Sequence, residues 1–343
     1  TREERDGAVR WSGWLKPAAA SAYRFQVNSF DGYRVEIDGR EIVNAWDAAK
    51  PENSVDREVT LQAGKPVRIV VEARQKGGRG DQRLYWSGAE AREDAAIAAA
   101  RDADLIVFAA GLSAKLEGEE MRVNAPGFSG GDRTSLDLPA PQQQLLERLH
   151  ATGKPVVLVS MSGSALALNW ADKNVPAIIQ AWYPGGTGGR AVADLIAGDF
   201  SPSGRLPITF YRSADDLPPF KDYRMAGRTY RYFGGEALYP FGHGLSYTSF
   251  QVTDVSVPAT MTDRLEVTAT VRNTGALGGA EVVQLYVHDA VASHTRPVRE
   301  LKGFERVELR PGQSRQVRFT LTRDDLRFWG EDGWVVEPGL FHL

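Results

Sequence analysis

At 343 residues, with 42% hydrophobic and 25% charged side chains, the chain is long enough for two or three ordinary globular domains, each with its own core. A net charge of −3 argues against a nucleic-acid footprint, and no apolar run reaches the roughly 18 to 20 residues that a membrane span needs. Cysteine is absent and the five histidines are scattered, which excludes disulfides, zinc-thiolate sites and thiol nucleophiles and leaves no metal or cofactor to expect. The opening Thr1-Arg-Glu-Glu-Arg-Asp6 is charged throughout and does not read as a signal peptide, which a mature exported protein would also lack.

To about Gly88 the pattern is β. Tyr23-Arg-Phe-Gln-Val-Asn28 and Tyr33-Arg-Val-Glu-Ile37 alternate apolar with polar side chains, and Asp31-Gly32 and Asp38-Gly39 supply turns. Val67-Arg-Ile-Val-Val-Glu-Ala73 and Arg83-Leu-Tyr-Trp86 continue it, so residues 1–89 are expected to form a small antiparallel sandwich. Over residues 90–250 strands alternate with helices. Helices are expected at 95–101, 141–149, 165–170 and 190–196, and strands at 105–108, 155–160 and 177–182. Continuous apolar strands between helices imply a mostly parallel sheet covered on both faces. Over residues 251–343 the chain returns to β in Leu265-Glu-Val-Thr-Ala-Thr-Val271, Glu281-Val-Val-Gln-Leu-Tyr-Val287 and Gln316-Val-Arg-Phe-Thr-Leu321, a spacing that fits an immunoglobulin- or fibronectin-like sandwich. Its last strand has barely begun at Leu343, which reads as a truncation. The expected fold class is multidomain α+β: a β-sandwich, then an α/β sandwich with a mostly parallel sheet, then a fibronectin- or immunoglobulin-like β-sandwich.

The acidic run Glu117-Gly118-Glu119-Glu120, with Gly131-Asp132-Arg133 beyond it, follows the apolar stretch Asp104-Leu-Ile-Val-Phe-Ala-Ala-Gly111. Open α/β sheets place their chemistry beyond the carboxyl ends of strands. Three carboxylates crowded there are candidates for one raised pKa and one proton donor, the bland alternative being a solvated acidic loop. The glycines Gly185-Gly-Thr-Gly-Gly189 read as a strand-to-helix turn rather than a phosphate loop, because no Lys-Ser/Thr follows. Ser160, Ser162 and Ser164 lack a His and Asp arrangement for a serine hydrolase.

Five stretches, in order, are similar to glycoside hydrolase family 3, the β-glucosidase and β-xylosidase family. They are Leu116-Glu-Gly-Glu-Glu120 with Gly131-Asp-Arg133 and Leu138-Pro139; Lys154-Pro-Val-Val-Leu-Val159; Trp182-Tyr-Pro-Gly-Gly-Thr-Gly-Gly189; Gly198-Asp-Phe-Ser-Pro-Ser-Gly-Arg-Leu-Pro207; and Tyr239-Pro-Phe-Gly-His-Gly-Leu-Ser-Tyr247. The first region resembles the later part of a protective-antigen-type sugar-binding domain, which some members carry as an insert. The resemblance implies three domains: residues 1–89 as part of that insert, 90–250 as the α/β domain with the acid/base loop, and 251–343 as a fibronectin type III-like domain. It also implies a (β/α)₈ barrel, bearing an aspartate nucleophile, that no segment here can supply. The chain is therefore expected to be inactive alone.

The family takes its proton donor from a loop of the α/β domain, in a pattern such as Glu-x-Glu-Gly. On that pattern Glu119 matches best, as the second glutamate of Leu116-Glu-Gly-Glu, and Glu117 is its rival because Glu120 stands where glycine is usual. Whichever is not the donor is expected to pair with Arg122 or Arg133. Asp132-Arg133 is expected to shape the loop. Trp182, at a strand end, is a candidate for lining the sugar site, with core packing as its alternative role. Trp46, Asp31 and Asn28 are candidates for rimming a sugar pocket in the first region. Tyr230-Arg-Tyr-Phe233 is expected to pack on the barrel.

The implied activity is retaining, exo-acting hydrolysis of terminal β-linked glucose by double displacement, with β-xylosidase, a non-catalytic carbohydrate-binding module and an adhesion or scaffold protein as alternatives. Expected partners are the N-terminal barrel portion, a β-glucoside or oligosaccharide, and a homodimer mate, with no nucleic acid and no membrane. The expected location is the bacterial periplasm or the medium.

Overall fold

The computed structural model describes residues 7–18, 20–28, 32–47, 54–75, 83–114, 116–117, 123 and 125–343. Contacts divide the chain into two compact units, Thr1–Ile106 with Ala151–Lys154, and Val107–His150 with Pro155–Leu343.

Alternation builds the first unit. Its described strands are β1 (Gly7–Leu15), β2 (Ser21–Asn28), β3 (Tyr33–Ile37), β4 (Arg40–Asn44), β5 (Ser54–Leu61), β6 (Val67–Gln75) and β7 (Arg83–Gly88), followed by helix α1 (Ala89–Arg101). They form two antiparallel sheets, ordered β1-β6-β3-β4 and β5-β2-β7. Tyr23, Phe25 and Val27 of β2 and Tyr33, Val35 and Ile37 of β3 are buried, while Arg24 between them is exposed. Leu15 and Ile37 from one sheet meet Phe25 and Leu61 from the other in a shared core, which makes the pair a sandwich. Asp38-Gly39 forms the two-residue turn between β3 and β4, both residues at positive φ (51° and 75°), as hairpin twist demands. The turn expected at Asp31-Gly32 has its aspartate outside the described residues.

The second unit begins with an apolar strand, β8 (Ile106–Gly111), then a two-residue ribbon of β9 (Phe128–Ser129) and β10 (Asp132–Arg133). Helix α2 (Ala140–His150) buries Leu146 and Leu149. It leads to β11 (Val156–Met161), α3 (Asn169–Asn174), β12 (Ala177–Gln180) and α4 (Gly188–Ala197). The sheet order is β12-β11-β8, and β11 runs parallel to β12 with Val157 opposite Ala177. Two expectations are corrected here. Residues 165–168 are not helical, and the helix starts at Asn169. The backbone there is tied elsewhere: the Ala167 N–H donates to the Leu136 carbonyl at 2.7 Å, and the Ala165 carbonyl accepts from Arg133 at 2.7 Å. The strand expected to reach residue 182 stops at Gln180, because Trp182 takes a left-handed backbone (φ 55°) that cannot continue an extended ladder.

A long connection contains the single-turn helix α5 (Thr229–Tyr232), where Tyr230 stacks on Phe241 with ring centroids 4.0 Å apart. A second antiparallel sandwich follows from β13 (Phe250–Ser256), β14 (Arg264–Asn273), β15 (Gly279–Asp289), β16 (Glu300–Leu309) and β17 (Ser314–Thr322). The turn α6 (Arg323–Leu326), the hairpin β18 (Phe328–Gly330) and β19 (Gly333–Val335), and β20 (Phe341–His342) complete it. Its sheets are ordered β13-β14-β17 and β16-β15-β20, with Leu265 and Leu321 from one meeting Leu285 and Val287 from the other. Buried Asn273 spends both ends of its amide, donating to the Leu277 and Leu309 carbonyls and accepting from Thr248 and the Gly275 N–H. Two sandwiches with an α/β layer between them in sequence give the multidomain α+β class expected from the residues. Among the described residues no helix is long and apolar enough to cross a membrane.

Phe25 is fully buried where the two sheets of the first unit meet. Phe25→Ala is expected to lower the unfolding free energy of that unit by about 3–5 kcal/mol in urea titration. A loss under about 1 kcal/mol would mean that the ring does not hold the two sheets together.

Candidate active site

The site begins where β8 ends. Gly111 sits at φ 135°, and a Cβ on it would lie 1.9 Å from the Met161 carbonyl oxygen, so only glycine lets the two strand ends come this close. Gln142 of α2 clamps that glycine from the other side, accepting from its N–H at 2.7 Å and donating to its carbonyl at 2.9 Å. The Leu112 N–H then donates to the Met161 carbonyl at 2.7 Å, and the Glu117 N–H closes a turn onto the Ser113 carbonyl at 3.0 Å. The acidic loop thus leaves the sheet from a fixed point.

Glu117, the one glutamate of the acidic run that the structure describes, is closely coordinated. One carboxylate oxygen accepts from the Ser164 hydroxyl, and the other accepts from the Gly163 N–H at 2.8 Å and from the Tyr183 hydroxyl. The Arg133 guanidinium stands 3.9 Å from the first oxygen and donates to Ser164 Oγ at 2.8 Å and to the Ala165 carbonyl at 2.7 Å. Gly163 has no room for a side chain, since a Cβ would meet the Tyr183 ring at 2.8 Å. Trp182 sets up that approach: its left-handed backbone, rare for a bulky aromatic, turns the chain so that Tyr183 reaches Glu117.

The electrostatics follow from these contacts. Burial alone would push the Glu117 carboxyl up. The bonds from Ser164, Tyr183 and the Gly163 N–H, together with the Arg133 charge, outweigh burial and hold the carboxyl below its usual range. Tyr183 is pushed up to about 12, first by burial and then by its bond to the Glu117 carboxylate. Burial draws Arg133 down while Glu117 and Asp137 push it back up, and a guanidinium so placed keeps its charge. At neutral pH Glu117 is therefore an ionised anchor.

The other sequence-derived candidates fall as follows. Glu119, Arg122 and Asp31 lie outside the described residues. Trp182 is half-buried, with its ring edge-on to the buried Phe210 at 6.1 Å, one residue before Tyr183. In the first unit Trp46 follows β4, and the guanidiniums of Arg34 and Arg74 lie 5.5 and 5.8 Å from its ring centroid. The backbone of Asn28 pairs with Ser54 and Arg83. Ser162 is buried and donates to the Ser164 carbonyl at 2.7 Å. Among the described residues no three His, Asp or Glu side chains converge as a metal site requires. Nothing in the sequence around Gly163, Ser164 and Tyr183 points to a glutamate 46 to 66 residues away, and Trp182-Tyr183-Pro184 stands there only as a motif.

Residues 8–247 match the glycosyl hydrolase family 3 C-terminal domain, and residues 281–343 match the fibronectin type III-like domain. The chain is 39% identical to a xylan 1,4-β-xylosidase of Xylanibacter ruminicola, over 98% of this chain and 39% of that protein. It is 36% identical to a periplasmic β-glucosidase of Salmonella typhimurium, over 89% of this chain and 42% of that protein. A β-glucosidase from Kluyveromyces marxianus, solved in complex with glucose, superposes with a TM-score of 0.74 at 28% identity, over 97% of this chain and 42% of that one. The chain spans about two fifths of the length of these relatives.

Because the folded pKa of Glu117 is depressed, its contribution to stability is present above the ordinary carboxylate value of about 4.3 and is lost as pH falls through the lower folded value. Tyr183→Phe removes one donor, so it is expected to cost about 1 kcal/mol at pH 7 and progressively less below about pH 4. Thermal unfolding of both proteins from pH 7 to pH 3 tests this. A deficit that does not change with pH would show that Tyr183 does not act on the ionised carboxylate.

Proposed function

This chain belongs to glycosyl hydrolase family 3, and on that premise we propose that it is the acid/base-bearing part of a retaining, exo-acting β-glycosidase, with Glu119 as proton donor and terminal β-linked glucose as substrate. Residues 1–89, 90–250 and 251–343 then serve as sugar-binding insert, acid/base domain and fibronectin type III-like domain. The barrel portion that bears the nucleophile lies outside this chain, and the chain alone is inactive on this reading. Export to the periplasm or the medium belongs to the same proposal, and the Salmonella relative's name supports it.

The observation that carries the assignment is the state of Glu117. A retaining glycosidase sets one carboxylate to attack the anomeric carbon and one carboxylic acid to protonate the leaving oxygen. Glu117, held ionised by Ser164, Tyr183, the Gly163 N–H and Arg133, has no proton to give at neutral pH. Its rival in the motif is Glu119, two residues later. A fixed negative charge nearby in the loop favours the protonated form of a second carboxyl, as a general acid needs. In the first step Glu119 gives its proton to the glycosidic oxygen as the nucleophile's carboxylate forms the glycosyl ester. In the second, Glu119 takes a proton from water, and the water oxygen displaces the ester with net retention.

Specificity for β-linked xylose is the second reading, favoured by the xylosidase of Xylanibacter ruminicola at 39% identity. The ratio of kcat/KM for p-nitrophenyl β-glucoside and β-xyloside, measured on the complete enzyme, decides between them.

In the complete enzyme Glu119→Ala is expected to lower turnover of poorly activated glycosides by about 10²–10⁴-fold. Activated aryl glycosides should suffer less, and azide should restore turnover with a β-glycosyl azide as product. Wild-type rates on poorly activated substrates would sink the assignment, and azide rescue of Glu117→Ala instead would transfer the role to Glu117.

A further inference from the structure

The hairpin β18–β19 holds two indoles out to water. Trp329 and Trp334 face each other in register, 65% and 59% exposed, with ring centroids 5.5 Å apart and planes at 86°. Neither belongs to a sandwich core cluster, and paired exposed tryptophans on so short a hairpin mark an interaction surface. Beside them opens a cleft of about 580 Å³, the size that takes a small ligand, which Arg231, Arg296, Arg327 and Glu300 also line.

The polar groups around this cleft are fixed by ion pairs, and two of them keep a buried N–H without a partner among the described residues. The Arg327 guanidinium lies 4.4 Å over the Trp334 ring, so one indole face is backed by a cation. Arg296 lies 4.9 Å over Phe328 and donates to the Leu326 carbonyl at 3.2 Å. Arg231 donates to Glu300 at 2.9 Å. The Nε atoms of Arg231 and Arg296 are buried with no hydrogen-bond partner among the described residues, that of Arg296 standing 3.7 Å from Asp289. The guanidinium charges face carboxylates: Arg231 pairs with Glu300, Arg296 with Asp289, and Arg327 with Asp324 at 3.4 Å. Lys302 also reaches Glu300 at 3.1 Å, so four cations share three carboxylates and most of the positive charge is answered. The remaining features, one exposed indole at Trp329 set at right angles to Trp334 and fringed by N–H donors and a carboxylate, suit a neutral ring with one C–H face and hydroxyls around its edge.

We propose that this cleft binds a neutral pyranose unit of a glycan, stacked on Trp329 and hydrogen-bonded at its rim by Arg231, Arg327 and Glu300. The site holds polysaccharide without cleaving it, and it stands or falls independently of the acid/base assignment, because no hydrolysis enters it. Glucose and xylose units share this chemistry.

Affinity electrophoresis of the chain through native gels containing soluble mixed-linkage β-glucan or arabinoxylan separates the outcomes. Retardation in at least one gel is expected. Trp329→Ala should weaken it about tenfold with an unchanged melting temperature, and Trp329→Phe, which keeps an aromatic face, should retain most of it. No retardation of the parent chain in either gel overturns the proposal, as does retardation undiminished in Trp329→Ala/Trp334→Ala. Retardation lost only together with a change in sedimentation also overturns it, because the indoles would then join copies of the chain.

Discussion

A carboxylate taken out of water must have its charge answered, and around Glu117 that requirement organises the second unit. The groups that answer it come from separate segments: Gly163 and Ser164 just past β11, Tyr183 past β12, and Arg133 from the ribbon strand β10. All of these segments converge on that one side chain, and Arg133 also ties β10 directly to Ser164 and Ala165. Withdrawing any one donor leaves the remaining groups to hold the charge with fewer bonds. Arg133 meets the same demand from the opposite sign in part: Nε and Nη1 reach Ser164 and the Ser135 and Ala165 carbonyls, while Nη2 is buried without a hydrogen-bond partner among the described residues.

The backbone accepts unusual conformations to meet that demand. Gly111 crosses the Met161 carbonyl at a distance no side chain tolerates, and Trp182 adopts a left-handed backbone within two residues of the end of β12. Strain of this kind persists where surrounding contacts over-determine it. At Gly111 the determinant is the paired amide clamp of Gln142, and at Trp182 it is the ring contact with Phe210 together with the Ala181 N–H bond to the Ser160 carbonyl. Both devices act at the carboxyl ends of strands, where open sheets leave backbone groups free to be aimed.

The parts of this architecture legible in the sequence were those governed by local period. Tyr23, Phe25 and Val27 point inward because a strand repeats every two residues, and Asp38-Gly39 turns because both residues tolerate positive φ. The apolar runs at β8, β11 and β12 announced a parallel sheet for the same reason, although Val107 of β8 stands half exposed rather than covered. What stayed hidden was governed by partners far along the chain. Residues 165–168 have a helical composition, yet Arg133, 32 residues earlier, takes the Ala165 carbonyl out of any helix. The three donors that ionise Glu117 lie 46, 47 and 66 residues from it, so its protonation state was not written in the acidic run itself.

On the proposed assignment the acidic loop contains glutamates with different tasks. Two carboxyls in like surroundings titrate together, and neither is then useful as an acid at neutral pH. Separating them requires an asymmetry, and the donors that converge on Glu117 supply its ionised side. Once Glu117 is fixed as an anion, its field raises the cost of ionising a second carboxyl nearby, a cost that grows as water is excluded. On the proposed assignment the donor's readiness to hold a proton is thus supplied partly by a residue that never exchanges one. Tyr183 and Ser164 then act on the reaction through Glu117, as positioning residues whose loss would be felt first in the pH dependence of turnover.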